Sequence, residues 1–551
     1  MFLFDWLRSF LPLRNPLGFG ASDFLLLLFT GLLATAALLW RPWLDARVRL
    51  FAKRPLRCLL LLLVLPVLLR LALLAHHPVP TPDIYDEFGH LLLADTLQHF
   101  RLANPPHALP QFFETQFVLQ EPTYSSIYPP GQGMLLALGW TLFGLPWAGV
   151  ILGVAAFCAL CYWMLLGWTT PGWALAGGLL AVMEFGPLSY WMNSYWGGAA
   201  AAGAGCLVFG ALPRVAANQR HAPWWLGIGL GLQLLIRPFE SILLGLSVLL
   251  YCLRGWRRFL RPLALAAVPV LAALGIVALQ NKQVTGSWVT LPYSLSRYQY
   301  GVPAAFTFQP NPEPHRELNR EQALNYRMQL SFRGQTYLQR LEYRVRFYRF
   351  FFLAPLYLAA PAFLWRVREY RFAWVLLTLA IVALGTNFYP NFEAHYIAGI
   401  TCLFILISVT GLQQWMRWRH AAGRLIAFAC VAQFVFWYGM HLLEAQPFAL
   451  AALRYETWDG LNHGNPAAHI AVNQQLAAMP GKLLVFVRYY PQHIFQDEWV
   501  YNRADIDGSR VVWARDLGEG EDKKLLAYYP DRTAWLLEPD FRPPRLRPYE
   551  P

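Results

Sequence analysis

Long apolar segments recur along most of this chain, and they constrain its fold more than any other feature. Between Leu25 and Leu443 the sequence contains twelve segments with the apolarity and approximate length of membrane-spanning helices. They are residues 22–40, 57–75, 147–167, 172–190, 195–212, 223–236, 239–253, 262–280, 350–364, 372–388, 397–414 and 424–443. The pattern therefore predicts a polytopic α-helical membrane protein with about twelve spans.

The composition supports this prediction. Only 14% of the 551 residues are charged, whereas 56% are hydrophobic. An ordinary soluble domain has roughly 25% charged residues, so a typical soluble enzyme is excluded. The chain nevertheless has a formal net charge of +13, and the position of these cations decides what they mean.

The distribution of Lys and Arg predicts the orientation of the spans. Eighteen of them, with only two acids, fall in five short loops, which the positive-inside rule places in the cytoplasm. These loops are residues 41–57, 213–223, 254–261, 365–371 and 415–424. The loop 76–146 has one cation and six acids and is predicted to be outside. This alternation requires that the apolar stretch 131–143 does not cross the membrane.

A second outer loop, residues 281–349, carries ten cations against four acids, interleaved with Tyr and Phe. Basic and aromatic interleaving is also a feature of nucleic-acid binding. On the outer face of a membrane, however, anionic lipid, lipid phosphate or an acidic glycan is the expected partner. We therefore predict membrane lipids and no nucleic acid as partners.

The chain is predicted to have three parts. Residues 1–21 form an interfacial amphipathic segment, residues 22–443 form the transmembrane domain with its outer loops 76–146 and 281–349, and residues 444–551 form an extracytoplasmic α/β domain. Within this tail we predict helix 466–479, strands 482–488, 510–514 and 533–538, and helix 521–528. No glycine-rich loop follows its first strand, which argues against nucleotide binding.

The first outer loop contains an acidic helix start, TPDIYDEFGH. Thr81 and Pro82 suit the N-cap and the first helical position, so a helix is predicted to begin there. Helical spacing then places one imidazole and three carboxyl groups on one face: Asp83, Asp86, Glu87 and His90. A solvated helix face is the simple interpretation. The scarcity of cations in this loop favours a catalytic base, a metal site or a cation-binding site instead.

Other candidates lie at predicted outer turns. Tyr128 precedes two prolines and an apolar helix in SSIYPPGQG, and Arg237 interrupts an apolar hairpin, with Glu240 one helical turn later. A snorkelling pair of Arg237 and Glu240 is the alternative to a functional role. The turn 387–399 contributes Glu393 and the pair His395 and Tyr396, and the turn 189–198 contributes Asn193. For these turns, aromatic and polar residues at a membrane interface are the simpler explanation.

The order of these motifs resembles the GT-C superfamily of integral-membrane glycosyltransferases. A DE pair after an early span, followed about 40 residues later by YPP and an apolar helix, is most similar to its bacterial polyprenyl-phosphate-sugar branch. That branch is related to protein O-mannosyltransferases and the lipid A aminoarabinose transferase. The resemblance covers roughly residues 57–415. Many relatives have an acidic residue where this chain has Asn193, so the resemblance leaves both a second catalytic acid and a divalent metal open.

The resemblance implies a function and a set of residue roles. The chain would transfer a sugar from a polyprenyl-phosphate donor to a hydroxyl group of a glycolipid, polysaccharide or protein, outside the bacterial inner membrane. Asp86 takes the position of the catalytic acid group and would act as the base, with Asp83, Glu87 and His90 as neighbours. The expected substrate-binding residues are Tyr128, Asn193, Arg237, His395 and Tyr396.

Two other interpretations remain open at the level of sequence. A transporter or lipid flippase would also have charges near the membrane and broken helices. However, no internal repeat is visible, and the acids are concentrated at the outer mouth. In the third interpretation, the chain is a noncatalytic assembly protein whose functional part is the tail.

Overall fold

The computed structural model describes residues 21–39, 42–82, 84–443 and 467–550. The predicted interfacial segment 1–21 lies outside the described residues except for Ala21, and Asp83 and residues 444–466 also lie outside them. Most of the described chain is helical. The prediction of a helical fold is therefore confirmed.

The α-helices between residues 21 and 443 include most of the predicted apolar segments as well as helices of the two outer loops. In chain order they are α1 (Ala21–Leu39), α2 (Pro42–Ala52), α3 (Pro55–Ala72), α4 (Tyr85–Gln98), α5 (Pro130–Phe143), α6 (Pro146–Leu165), α7 (Pro171–Phe185), α8 (Ala199–Ala216), α9 (Ala222–Ile236), α10 (Pro238–Cys252), α11 (Trp256–Thr285), α12 (Pro292–Tyr300), α13 (Arg320–Ser331), α14 (Tyr337–Phe347), α15 (Tyr370–Thr386), α16 (Thr401–Trp418) and α17 (His420–Leu443). Many begin with proline, which suits a first helical turn because its missing N–H is not needed there.

The count of about twelve spans is not confirmed. Among the described residues, six helices are long and apolar enough to cross a membrane, or seven if one bent pair forms a single span. Four further apolar helices are shorter, 10–17 residues each. The predicted span 350–364 is not an α-helix: it consists of short 3₁₀ turns and belongs to the pair that bends by 120°. Pro355 and Pro361 lack the N–H groups that a continuous helix would need there.

The start of the first outer helix also differs from the prediction. Helix α4 begins at Tyr85, with Ile84 as its N-cap, rather than at Pro82. The preceding residues are held in a non-helical conformation by distant side chains. Arg70 donates hydrogen bonds to the carbonyl oxygens of His77 and Pro78, at 3.0 Å each, and the Tyr195 hydroxyl donates to that of Pro80 at 2.9 Å. These tertiary bonds outweigh the local helix-start signal of Thr81 and Pro82.

The tail forms the small α/β unit that the sequence predicts. Helices α18 (Ala467–Ala478) and α19 (Glu519–Tyr528) accompany a four-stranded sheet in the order β4-β3-β5-β6. The strands are β3 (Leu483–Val487), β4 (Val511–Arg515), β5 (Thr533–Glu538) and β6 (Arg545–Pro548); a short hairpin in the first outer loop supplies β1 (Val118–Leu119) and β2 (Ser125–Ser126). Strand β3 pairs in parallel with β4 and β5, and β6 is antiparallel to β5. Strand β6 was not predicted.

The tail packs directly on helix α4. Asp95, which is 2% exposed, accepts hydrogen bonds from Arg503 Nη2 at 2.9 Å and from the Ala504 N–H at 2.7 Å. On the same helix, the ring of Phe88 stacks on Tyr501 with centroids 4.3 Å apart. The tail and the first outer loop also share one hydrophobic cluster, which includes Leu92 of α4.

A second connection joins the tail to both outer loops. The buried guanidinium of Arg515 donates to Glu321 at 2.7 Å, to Glu498 at 3.2 Å and to the backbone carbonyl of Glu114 at 2.7 Å. Charge-assisted bonds of this kind are the strong ones, and here they link three segments far apart in sequence. The outer part of the molecule therefore depends on the tail for its packing.

We predict that Asp95→Ala loosens this docking. The change leaves the Ala504 N–H and the Arg503 guanidinium without their acceptor, a loss of about 1–3 kcal/mol. Hydrogen–deuterium exchange of the membrane-embedded full chain should show faster exchange in residues 499–504. The matched control is Glu519→Ala, which removes an exposed pair with Lys523 in the same tail. Equal exchange in both variants would contradict the assignment.

Candidate functional site

A cavity of about 1670 Å³ lies where the first outer loop meets helices α9 to α12 and the turn before α16. It brings together six of the nine candidate residues that the sequence predicts. These are Asp86, His90, Tyr128, Arg237, His395 and Tyr396. They come from four separated parts of the chain, so their convergence on one cavity is a property of the fold.

Asp86 lies in the first turn of α4 and accepts a short hydrogen bond from the hydroxyl group of Tyr128. Tyr128 can approach so closely because Gly89 follows on the same helix. A Cβ atom at Gly89 would lie 2.7 Å from the Tyr128 ring, which is closer than real side chains pack. The ring of His90 stacks on the ring of Tyr128, with centroids 4.1 Å apart. The segment DEFGH thus provides the carboxyl group of Asp86, the space at Gly89 for the Tyr128 ring, and the His90 ring that packs on Tyr128.

The environment of Asp86 suits a general base. Although Asp86 is partly accessible from the cavity, surrounding protein atoms desolvate it and raise its pKa to about 6, against the smaller opposing effects of Tyr128 and Arg237. The carboxyl group is still mostly ionised at neutral pH. His90 is neutral, because burial lowers its pKa to about 3. Among the described residues its Nδ1 is a buried atom without a hydrogen-bond partner.

Arg237 occupies the break between α9 and α10 and lies among acidic groups. Its guanidinium carbon is 5.0 Å from the centroid of the Tyr396 ring. Its charge acts on Asp86, on Glu240 and on Glu393. Burial, followed by the neighbouring Asp86, raises the pKa of Glu393 to about 7, against the opposing effect of Arg237. One cation therefore acts on several carboxyl groups at the cavity.

His395 and Tyr396 lie in a 3₁₀ turn that leads into α16. His395 is 9% exposed. Its ring packs against those of Trp196 and Tyr396, with ring centroids 5.4 and 4.9 Å apart. Tyr396 also contacts Tyr389, with centroids 4.9 Å apart. The pair therefore forms part of an aromatic wall of the cavity, next to Arg237.

Of the other three candidates, Glu87 and Asn193 are not among the described residues that line the cavity. Asp83 lies outside the described residues. Glu87 is 3% exposed and its carboxylate binds backbone: it accepts from the Tyr195 N–H at 2.9 Å and from the Ile84 N–H at 3.3 Å.

Asn193 likewise has its polar atoms occupied. Its side chain accepts from Arg70 Nε at 2.8 Å and donates to the carbonyl oxygens of Pro187 and Ser189, at 3.0 and 2.8 Å. These bonds fix the turn 187–193 and leave the side-chain amide directed into the turn. We therefore find a structural environment around Asn193 where the sequence analysis expects a substrate-binding one.

Two further cavity residues were given no role by the sequence analysis. Glu393 lies next to the predicted pair in the turn 387–399, and its acidity between aromatic residues was the available signal. Tyr293, at the start of α12, approaches Tyr128 with ring centroids 5.8 Å apart, and burial raises its pKa. Nothing in the sequence around Tyr293 distinguishes it from the other tyrosines of the second outer loop.

In the part of the chain that the structure describes, no group of three or more His, Cys, Asp or Glu side chains is arranged to hold a metal ion.

The overall fold is similar to that of solved membrane enzymes. ArnT from Cupriavidus metallidurans in the apo state matches with a TM-score of 0.51 and 13% identity over 87% of this chain and 92% of that chain. The same protein bound to undecaprenyl phosphate has a TM-score of 0.49 and 14% identity over the same shares. An oligosaccharyltransferase from Archaeoglobus fulgidus matches with a TM-score of 0.45 and 12% identity, over 87% of this chain and 67% of that chain. No family model and no curated protein sequence matches the chain.

The similarity to apo ArnT extends over nearly the whole of both chains, and it confirms the predicted fold. The chain has a fold similar to that of ArnT, with several helices that are long and apolar enough to cross a membrane and a small sheet domain at its C-terminal end.

We predict that Glu87→Ala affects stability rather than cavity chemistry. Removing the carboxylate leaves the N–H groups of Ile84 and Tyr195 without their acceptor, which should lower the free energy of unfolding by about 1–3 kcal/mol. A lower melting temperature of the detergent-solubilised chain would report this loss. Asp86→Asn is the matched control on the neighbouring position, and it should melt close to the wild type. If both variants melt alike, the distinction between the two acids is wrong.

Proposed function

We propose that this protein is a membrane glycosyltransferase that moves a sugar from a polyprenyl-phosphate donor to a hydroxyl group of a glycolipid, polysaccharide or protein acceptor. In this proposal Asp86 is the base and Arg237 binds the phosphate that leaves. The reaction occurs at the extracytoplasmic face of a bacterial inner membrane, and the tail domain lies on the same side of that membrane as the site. The proposal includes about twelve spans, with the shorter apolar helices crossing as well.

The observation that carries the proposal is the pairing of an ionised, partly desolvated carboxylate with a cation in one large cavity of a GT-C fold. Asp86 is desolvated enough to hold its pKa near 6, where a general base is effective. Arg237 is close enough to lower that pKa by its charge. A base and a phosphate-binding cation are what a transfer from a sugar phosphate requires.

The walls of the cavity support a lipid-linked donor. Ile242 on α10 and Leu274 on α11 line the cavity although they are 66% and 50% exposed. Helix α11 packs along α9, whereas α10 packs on α15. In the proposal, the space between the two exposed side chains is a gap that opens to the bilayer. Apolar side chains at such a gap suit contact with lipid, and a polyprenyl chain would enter the cavity from the bilayer there.

The proposed reaction is a single displacement. The acceptor hydroxyl group gives its proton to the Asp86 carboxylate as its oxygen attacks the anomeric carbon of the sugar. The bond from that carbon to the phosphate oxygen breaks, and the polyprenyl phosphate leaves with the electron pair. Attack from the face opposite the phosphate inverts the anomeric configuration. Arg237 stabilises the negative charge that develops on the leaving phosphate, because a guanidinium group matches phosphate oxygens well.

We predict that Asp86→Asn lowers transfer by about 10² to 10⁴-fold, the usual contribution of a general base. Cells that produce the variant or the wild type would be compared by mass spectrometry of glycolipids and surface polysaccharides. Glu121→Gln is the matched control, because Glu121 lies in the same outer loop but contacts Arg316 rather than the cavity. Transfer near the wild-type level in a correctly inserted Asp86→Asn variant would refute the role of Asp86. Transport of a lipid in proteoliposomes without any sugar product would favour the flippase instead.

The pH dependence provides an independent prediction. Because Asp86 must be ionised to accept a proton, kcat/KM should fall about tenfold per pH unit below pH 6. The hydrogen bond from Tyr128 lowers the pKa of Asp86, so Tyr128→Phe should raise that pKa and move the acidic limb to higher pH. An unmoved limb in the Tyr128→Phe variant would show that another group controls the profile.

A further inference from the structure

Four arginines of the second outer loop lie together beside the cavity, away from Asp86. Arg297, Arg340 and Arg344 line it, and Arg333 lies next to them on the same wall. They come from three different segments of the loop 281–349. All four belong to the run of cations to which the sequence analysis assigned no individual roles.

Hydrogen bonds to backbone oxygens hold these side chains in place. Three of them bind the coil 303–309. Arg297 Nε donates to the Pro303 carbonyl oxygen at 3.2 Å, and Arg340 donates to the Thr307 hydroxyl group at 3.3 Å. Arg333 donates to the carbonyl oxygen of Ala305 at 3.0 Å and also to that of Gln309. Arg340 and Arg344 also bind the turn before α16, at the carbonyl oxygens of Thr386, Asn387, Tyr389 and Asn391. The guanidinium groups are therefore fixed before any ligand arrives.

These bonds satisfy N–H groups, but they leave the charges uncompensated. Among the described residues, the hydrogen-bond partners of the four guanidinium groups are backbone oxygens and one hydroxyl group, and no carboxylate forms an ion pair with any of them. Arg340 is only 5% exposed and Arg344 only 1%. Buried charges are normally paired, so this wall is electrostatically incomplete.

The four side chains also act on one another. The charge of Arg333 reaches both Arg297 and Arg340, and that of Arg340 reaches Arg344. Burial, with a smaller contribution from Arg333, lowers the pKa of Arg297. Glu393, an acid of the same cavity, interacts instead with Asp86 and Arg237. An anion at this wall would remove a repulsion that the chain itself does not compensate.

Arg297 is the side chain best placed to touch such an anion. It is half-buried, it lines the cavity, and within the described part of the chain its guanidinium donates only from Nε. Its four terminal N–H donors therefore remain for a ligand, and a guanidinium binds phosphate or carboxylate oxygens in pairs. The other three arginines supply the positive field behind it.

We infer that this wall, formed by Arg297, Arg333, Arg340 and Arg344, is a second anion-binding subsite, which takes a phosphate or carboxylate group carried by the acceptor. The assignment to the acceptor rests on the proposed function. A polyprenyl-phosphate sugar has one phosphate, which Arg237 binds. Between Arg237 and the wall stand the rings of Tyr396, Tyr389 and Phe306, with successive centroids 4.9 and 5.2 Å apart. A second anion bound beyond these rings therefore belongs to the other substrate.

The first test measures binding without any reaction. Inorganic phosphate would be titrated into the full-length protein in nanodiscs and followed by ³¹P NMR line broadening. We expect Arg297→Gln to weaken binding about tenfold or more, since a charge-assisted bond is lost, and Arg297→Lys to retain part of it. Arg316→Gln is the matched control, because Arg316 pairs with Glu114 and Glu121 in the same loop. Unchanged binding in Arg297→Gln would overturn the subsite; that variant avoids Arg340 and Arg344, which fix the backbone.

The second test separates the two sources of the anion. With undecaprenyl phosphate as the probe, Arg237→Gln should weaken binding about tenfold, whereas Arg297→Gln should leave it within about twofold. Equal weakening in both variants would assign the wall to the donor and overturn the assignment to the acceptor. Loss of phosphate binding in Arg297→Gln without any glycosyl transfer by the wild type would refute the proposed function and retain an anion site. Transfer that requires Asp86, with phosphate binding unaffected in Arg297→Gln, would refute the subsite alone.

Discussion

The buried cation Arg70 joins the membrane body to the outer part of the molecule. It lies in the last turn of α3, is 1% exposed and packs 4.7 Å from the ring of Trp147. Its guanidinium fixes the chain before α4 on one side and the turn around Asn193 on the other. Glu87 then ties α4 to that same turn through Tyr195. The position of Asp86 follows from these bonds, because they set where α4 begins and how it is oriented.

The cavity also depends on how irregular backbone is satisfied beside a membrane. Peptide groups outside helices need partners, and in this molecule long side chains supply many of them. Gln280 of α11 donates to the carbonyl oxygen of Tyr128 at 2.9 Å, and Arg344 serves the turn before α16. The stretch 301–319 between α12 and α13 can thus remain without regular structure and still form part of a defined wall. The arginines of the second outer loop show no pattern in the sequence. In the structure they hold its backbone and the turn before α16 in place by hydrogen bonds.

What the sequence predicts well is local or periodic. Apolar runs located most helices of the body, and runs of β-branched and aromatic residues located strands β3 to β5. The failures share a cause: contacts between distant residues. The Pro82 helix start was displaced by Arg70 and Tyr195, and no local pattern reveals that Asn193 binds Arg70. The role of Asn193 in substrate binding stays a prediction. Prolines at 355 and 361 were visible in the sequence, yet apolarity alone had suggested a span there.

Helix α4 makes contacts on two faces, and these contacts form at different stages of synthesis. One face carries Asp86 at the cavity, while the other carries Phe88 and Asp95 against the tail. The partner of Asp95 is Arg503, 408 residues further along the chain. During synthesis, this face of α4 therefore gains its partner only after residue 503 has been made. A chain that stops before residue 501 would keep the bonds of Glu87 to the body but would lack the tail contacts of Phe88 and Asp95, so the two faces of α4 gain their partners at different stages of synthesis.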